Sequence, residues 1–213
     1  MWVHPRDASP LRFRVEDARP RARGEVTRPG DPSDSVASIE RYGPGQEAAG
    51  CLPGDFILVH RHHPVAALIS QAQKRRFKGW DAAYARWSHA AVVIATDGAL
   101  VDTEALGIQR SPIAKYRASE YHLVRLGSEI STQGRVHAAQ FAEGQVGQAF
   151  GYLEMLGAGL CLLFGWPLRL VRRNHEICSG LVVRSLQGGG LLSDFDAALT
   201  LPADLAKRFG ARL

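Results

Sequence analysis

The fold of this chain is decided by the stretch SHAAVVIATDGALVDTEA, residues 88–105. An apolar run from Ala90 to Ala95 reaches Asp97-Gly98 and returns from Ala99 to Ala105, a pattern typical of two strands joined by a tight turn. The stretch therefore predicts an antiparallel β-hairpin. Because side chains alternate between the faces of a strand, the turn also determines which residues share a face.

A two-residue turn at Asp97-Gly98 would set the register of this hairpin. It pairs Ala95 with Leu100, Val93 with Asp102, Ala91 with Glu104 and His89 with Leu106. His89, Asp102 and Glu104 then share one face, and Glu104 is the diagonal neighbour of His89, at about 7–8 Å between backbones. Asp102 lies one pleat repeat further away. Since a long side chain can reach across the diagonal, Glu104 is the better candidate to orient His89.

The opposite face of the hairpin is mostly apolar, which predicts that it packs against helices. It carries Ala90, Val92, Ile94, Val101, Thr103 and Ala105. We therefore expect a polar active-site face and an apolar core face on the same two strands.

Cys178 opens a second informative segment, Cys178-Ser179-Gly180-Leu181-Val182-Val183, where an apolar helix is expected to begin. The unpaired N–H groups and positive dipole of a helix N-terminus lower the pKa of a thiol, and only the thiolate is a nucleophile. Taken alone, a cysteine such as Cys178 is more commonly a small buried hydrophobic residue. His89 could be a core hydrogen-bonding residue and Glu104 a solvated one.

The remainder of the chain predicts a mixed α+β fold with an antiparallel sheet packed against helices. Leu52-Pro53-Gly54-Asp55 is expected to form a turn, with Asp55 capping it. Further strands are expected over 56–59, 108–110 and 121–126, and helices over 64–78, over 132–146 and from Leu201-Pro202 onward.

The first fifty residues differ in composition from the rest. They hold six of the eleven prolines and many charged residues, with few apolar clusters. Such a segment cannot bury enough apolar surface to offset the entropy of ordering it. We therefore predict a disordered arm over 1–50 and one catalytic domain over 51–213.

Three segments together resemble the signature segments of NlpC-type papain-like cysteine hydrolases. They are Pro53-Gly54-Asp55-Phe56-Ile57, Ser88-His89-Ala90-Ala91-Val92-Val93-Ile94 and Cys178-Ser179-Gly180-Leu181-Val182. Ordinary NlpC-type enzymes have the Cys segment first, whereas here it comes last. This order is similar to the circularly permuted branch that contains YiiX/YaeF-like proteins and relatives of lecithin:retinol acyltransferase. The chain departs from the YiiX-like pattern at Gly180, where those proteins often have Glu.

The resemblance implies a permuted papain-like domain with Cys178 as nucleophile, His89 as base and Glu104 as orienting residue. It implies hydrolysis or acyl transfer at an amide or ester bond, in substrates from cell-wall peptides to N-acyl and lipid groups, with no cofactor. The alternative is a noncatalytic module that holds a lipid or peptide in the same cleft.

Composition says less about the partners of the protein and the compartment in which it works. The net charge is +5, which favours anionic partners without naming one. Three cysteines without paired spacing and an N-terminus unlike a secretory signal favour a reduced, cytoplasmic setting. The apolar segment 155–168 is too short to span a bilayer, so we expect a buried helix; peripheral membrane contact through it is the alternative.

Two other motifs compete with the cysteine site. His60-Arg61-His62-His63 could ligate a transition metal, but Pro64 favours a loop and no carboxylate or thiolate with zinc spacing is nearby, so we expect no metal. The run Lys74-Arg75-Arg76-Phe77-Lys78 is explained by a basic helix end, and no nucleic-acid-binding motif is present in the sequence.

Overall fold

A computed structural model describes residues 37–62, 64–104, 107–128, 130–148 and 178–212. The strands are β1 (Ala37–Tyr42), β2 (Phe56–His60), β3 (His89–Val93), β4 (Ala99–Glu104), β5 (Gly107–Pro112) and β6 (Glu120–Leu126). The helices are α1 (Pro64–Arg76), α2 (Thr132–Gly144), α3 (Cys178–Gly188) and α4 (Pro202–Arg208), with 3₁₀ helices at Gly79–Arg86 and Ile113–Tyr116. The fold is α+β, as predicted.

The six strands form one antiparallel sheet in the order β1-β6-β2-β3-β4-β5. After β5 the chain returns across the sheet, so that β6 lies between β1 and β2. The strands and helices expected within the described residues are present, with ends that differ by a few residues.

The predicted domain boundary at residue 51 is wrong. Residues 37–42 form β1, which pairs with β6 along its whole length, from Ala37 with Leu126 to Tyr42 with Tyr121. The short alternation around Ile39 was too weak a strand signal, and pairing with the buried strand β6 compensates for it. Residues 43–50 of the predicted arm are also described, and the N–H of Ala48 donates to the Tyr121 hydroxyl at 2.8 Å. Residues 1–36 lie outside the described residues, as does the apolar segment 155–168.

Both faces of the sheet are buried. On one face Phe56, Val92 and Val101 pack with residues of α3 such as Leu181 and Leu186, which confirms the apolar face predicted for the hairpin.

The other face was expected to be polar, and it is polar only at the end that carries His89, Asp102 and Glu104. Ala91, Val93 and Leu100 of this face pack against Ile113 and Tyr116. The 3₁₀ helix that follows β5 covers these residues, and sequence spacing within the hairpin could not reveal it.

The hairpin turn is longer than predicted. Gly98 N–H bonds Ala95 O at 3.2 Å and Ile94 N–H bonds Ala99 O at 2.8 Å, so the loop has four residues, 95–98. A two-residue type I′ turn needs positive φ at both central residues, and here only Gly98, at φ 82, has it. The observed register pairs Val93 with Leu100, two residues away from the predicted register.

Helix α3 is held against α2 by a glycine contact. A Cβ atom on Gly134 would lie 2.8 Å from Gly189 O, and one on Gly189 would lie 2.6 Å from Gly134 O. The two backbones therefore approach more closely than side chains would allow, which fixes the helix that begins at Cys178. Of the described helices, none has the length and apolar character that crossing a bilayer requires.

Candidate active site

Cys178 is the first residue of α3 and is 5 % exposed. The backbone N–H groups of Ala90 and Ser179 donate hydrogen bonds to its sulfur. The sulfur thus lies between the N-terminus of a helix and the edge of β3, where several positive dipole ends meet. Cys178 is helical, as predicted; the residues before it lie outside the described part of the chain.

The N–H of Ala90 is available because β3 and β4 separate at this point. Their ladder contains only two pairs, Val92 with Val101 and Val93 with Leu100. Alternate N–H groups of a strand point to the same side, so Ala90 points toward β4, as does Ile94, which bonds Ala99 O. The gap between the strands leaves this donor to the sulfur of Cys178.

His89 is the first residue of β3 and connects the thiol to a carboxylate. Its Nε2 lies 2.7 Å from Asp102 Oδ1 and 3.0 Å from the hydroxyl oxygen of Tyr116. The side chain also forms a hydrogen bond with Cys178. Since Nε2 faces Asp102, Nδ1 is the nitrogen left for the thiol. His89 can therefore exchange a proton with Cys178 while Asp102 holds the ring.

The residue that orients His89 is Asp102, and the assignment of this role to Glu104 is wrong. Extending the observed register by three pairs places Glu104 directly across from His89 and Asp102 on the diagonal. The carboxylate diagonal to His89 does orient it, as expected, but the longer turn makes that residue Asp102 instead of Glu104. Glu104 Oε1 instead accepts hydrogen bonds from Arg61 Nη2 and Lys115 Nζ, both at 2.5 Å.

The electrostatics favour a charged pair. Burial lowers the pKa of His89, but the hydrogen bonds to Asp102 and Cys178 outweigh it and raise this pKa to about 9. Burial raises the pKa of the Cys178 thiol, yet His89 and the two N–H donors lower it overall. At neutral pH these shifts favour a thiolate beside an imidazolium, the active form of a cysteine nucleophile.

Three residues that sequence reasoning missed surround Asp102. The Tyr116 hydroxyl donates to Asp102 Oδ2 at 2.6 Å, and Lys115 Nζ donates to the same oxygen at 2.7 Å. Arg61 Nη2 donates to the Tyr116 oxygen at 2.8 Å. Burial raises the pKa of Asp102, but His89 first and then Lys115 and Tyr116 hold it well below its usual range.

These three residues reach the site from outside the hairpin, so no spacing within residues 88–105 indicates them. Lys115 and Tyr116 belong to the 3₁₀ helix after β5, and Arg61 follows β2. The sequence could have indicated Asp102, because a four-residue loop instead of a two-residue turn places it beside His89.

His89, Asp102 and Glu104 also lie close enough to share a metal ion, with one potential ligand atom of each within 4.8 Å of the others. However, Lys115 Nζ contacts both carboxylates, at 2.7 and 2.5 Å, and already supplies a positive charge there. The two carboxylates therefore suit the Lys115 ammonium better than a metal ion.

The competing histidine motif has other contacts. The rings of His60 and His62 are 4.5 Å apart, but His60 Nδ1 accepts a hydrogen bond from Arg86 Nη2 at 3.0 Å. That nitrogen is therefore not free to ligate a metal. His63 lies outside the described residues.

Other candidates from the sequence have structural roles or lie elsewhere. The carboxylate of Asp55 accepts from the N–H of Leu52 at 3.1 Å, which confirms the predicted turn cap, and it also pairs with Arg135 at 2.8 Å. Cys51 is buried at 1 % exposure, and burial raises the pKa of its thiol. Cys161 lies outside the described residues.

No protein-family model, no curated protein and no solved structure matches this chain significantly.

Proposed function

We propose that this protein is a thiol-dependent hydrolase or acyltransferase that acts on an amide or ester bond. The observation that carries the proposal is the buried chain of hydrogen bonds from Cys178 through His89 to Asp102. A buried thiol without a catalytic role would titrate like Cys51, whose pKa burial raises. Cys178 is instead surrounded by groups that favour its charged form, as a nucleophile requires.

In the proposed reaction the Cys178 thiolate attacks the carbonyl carbon, and the carbonyl oxygen gains the negative charge. When the carbon–nitrogen or carbon–oxygen bond breaks, the His89 imidazolium gives its proton to the departing amine or alcohol. The acyl group remains on sulfur as a thioester. Water or another nucleophile then loses a proton to His89, attacks the thioester and releases the thiolate.

Asp102 contributes by holding His89 and stabilising its charged form through the two steps. Tyr116 and Lys115 keep Asp102 ionised and fixed in place. A backbone N–H at the start of α3 would stabilise the developing oxyanion.

The order of the site along the chain supports a circularly permuted NlpC-type papain-like domain, since the histidine strand precedes the cysteine helix. The proposed substrates are peptide-like, N-acyl or lipid molecules with a reactive amide or ester carbonyl. The apolar segment 155–168, which favours an acyl chain, lies outside the described residues.

The proposal is tested by trapping the acyl-enzyme. The full chain is incubated with p-nitrophenyl esters and N-acyl amides of increasing chain length, and intact mass and peptide mapping locate the acyl group. We expect an adduct on Cys178, none in Cys178→Ala, and little in His89→Ala. Cys51→Ala is the matched control and should keep the adduct.

An adduct on Cys51, or one that survives Cys178→Ala, would contradict the proposal. A protein that binds these compounds reversibly, without acylation of Cys178 and without turnover, would instead fit the noncatalytic lipid- or peptide-binding module.

A further inference from the structure

Trp80 is the most exposed large apolar side chain among the described residues, at 76 %. It lies in the 3₁₀ helix that follows α1 and takes no part in the cysteine site. The Arg212 guanidinium covers part of one ring face, 4.9 Å from the ring centroid. Because tryptophan is highly buried on average, a ring this exposed is a candidate contact residue.

Trp80 lies within a corner of the molecule built from three chain segments, which we call the Trp80 corner. Gln73 of α1 accepts the N–H of Ala203 of α4 at 3.0 Å, and Arg76 pairs with Asp204 at 2.9 Å. Beneath these contacts lies a small apolar cluster of Phe77, Ala85 and Ala203. The corner is therefore a packed surface with Trp80 projecting from it.

The Trp80 corner is strongly basic. Its basic residues include Lys74 and Arg76 in the last turn of α1, Lys78 before the 3₁₀ helix, Lys207 and Arg212, and its carboxylates include those of Asp81 and Asp204. Both carboxylates are engaged internally, Asp81 by Lys207 at 2.5 Å and Asp204 by Arg76. Lys74 and Lys78 are exposed and have no ion pair with any described residue. The corner therefore carries a positive surplus.

We propose that the Trp80 corner docks the protein onto an anionic lipid surface. An indole ring is stable at the headgroup level of a bilayer, where its apolar body and its N–H are both accommodated. Lys and Arg around it can reach anionic headgroups while their stems stay against apolar surface. The proposal concerns where the protein binds, and it does not depend on the reaction at Cys178.

A lipid surface fits this corner better than a nucleic acid does. Platforms for single strands stack successive bases on several aromatic rings, whereas Trp80 is the only aromatic residue among the exposed large apolar side chains of the described part. A single projecting ring on a basic corner suits a plane of headgroups.

The test is cosedimentation of the full chain with vesicles of phosphatidylcholine alone or mixed with phosphatidylglycerol. We expect binding only to the mixed vesicles, with affinity that falls as salt is added. Lys74→Gln/Lys78→Gln should weaken binding about twenty-five-fold, since each cation near such a surface contributes about fivefold. The matched control, Arg110→Gln/Arg117→Gln, removes the same charge far from the corner and should bind as the parent does.

Trp80→Ala should weaken binding several-fold, and Trp80→Phe should remove the part of the tryptophan fluorescence that brominated lipid quenches. Circular dichroism melting curves check that each variant is folded. Vesicle binding that is absent, or that is equal for the parent, Trp80→Ala and the lysine variant, would overturn the proposal. Binding to duplex DNA or to RNA through the same lysines, without lipid quenching of Trp80, would overturn it in favour of nucleic acid.

Discussion

Two histidines buried in the same sheet, His89 on β3 and His122 on β6, have opposite charge preferences. His89 is 5 % exposed and has a pKa raised to about 9. His122 is fully buried and has a pKa lowered to about 4, first by burial and then by the charge of Arg41. The two residues are of the same type and almost equally buried, but His89 favours the charged ring and His122 the neutral one.

The difference comes from the partners of each ring. His89 Nε2 lies 2.7 Å from a carboxylate oxygen, whereas neither nitrogen of His122 has a hydrogen-bond partner in the part of the chain that the structure describes. His122 lies against the Trp87 ring, with 4.4 Å between centroids. Burial alone disfavours a charged histidine, and a buried carboxylate reverses that preference.

The largest expected effect comes from removing the carboxylate that distinguishes His89. Asp102→Asn should lower turnover of an ester or amide substrate by on the order of 10³–10⁴, because His89 loses both its orienting partner and its counter-charge. The measurement is steady-state kinetics on the best substrate from the acylation experiment, with thermal unfolding as the check on folding. A loss of less than tenfold in a folded variant would show that Asp102 does not orient the base.

The second prediction concerns acid stability, in which the two histidines act in opposite directions. Between pH about 4 and 6.5 the folded protein holds fewer protons on His122 than the unfolded chain does, so this residue destabilises the fold as the pH falls. His122→Leu should remove about 3 kcal/mol of that acid-induced loss.

The measurement is chemical denaturation of the parent and of His122→Leu at pH 7 and pH 4. At pH 7 the two should be similarly stable, because an apolar residue of similar size replaces two unsatisfied nitrogens. His89 has the reverse dependence, since its contribution is complete below about pH 6.5 and is lost as the pH rises through about 9. The same acid dependence in both proteins would contradict a neutral His122.

The third prediction extends the contrast to two buried cysteines. Near neutral pH, Cys178 should react with iodoacetamide at least about tenfold faster than Cys51, because His89 favours the thiolate of Cys178 and burial favours the neutral thiol of Cys51. Mass spectrometry of labelled peptides gives both rates, and also that of Cys161, which we likewise expect to be slower. Equal rates in folded protein would count against an activated nucleophile.

The smallest effect is expected at Glu104, whose carboxylate bonds Arg61 and Lys115 instead of the histidine. Glu104→Gln should lower turnover by less than about tenfold, since it perturbs His89 only through Lys115 and Asp102. The measurement is the same kinetic assay, run beside Asp102→Asn. A larger loss for Glu104→Gln than for Asp102→Asn would restore Glu104 as the orienting residue.

The sequence alone predicted the elements that carry the site. The hairpin over 88–105 and the helix from Cys178 follow from local signals, an apolar alternation on either side of Asp-Gly and an apolar run of helical length. The sharing of one face by His89, Asp102 and Glu104 also follows, because the predicted and observed registers differ by two residues and a shift of two preserves the face.

Only the tertiary structure decided which carboxylate serves the histidine and what surrounds it. The register depends on the φ angles of the turn, and those depend on Gly98, where an added Cβ atom would lie 2.7 Å from the Ile113 side chain. Tyr116, Lys115 and Arg61 reach Asp102 from segments distant in sequence, and β1 is stabilised by its pairing with β6. Local patterns determine elements because their forces act over a few residues, whereas the partners of a buried side chain are set by the packing of the whole chain.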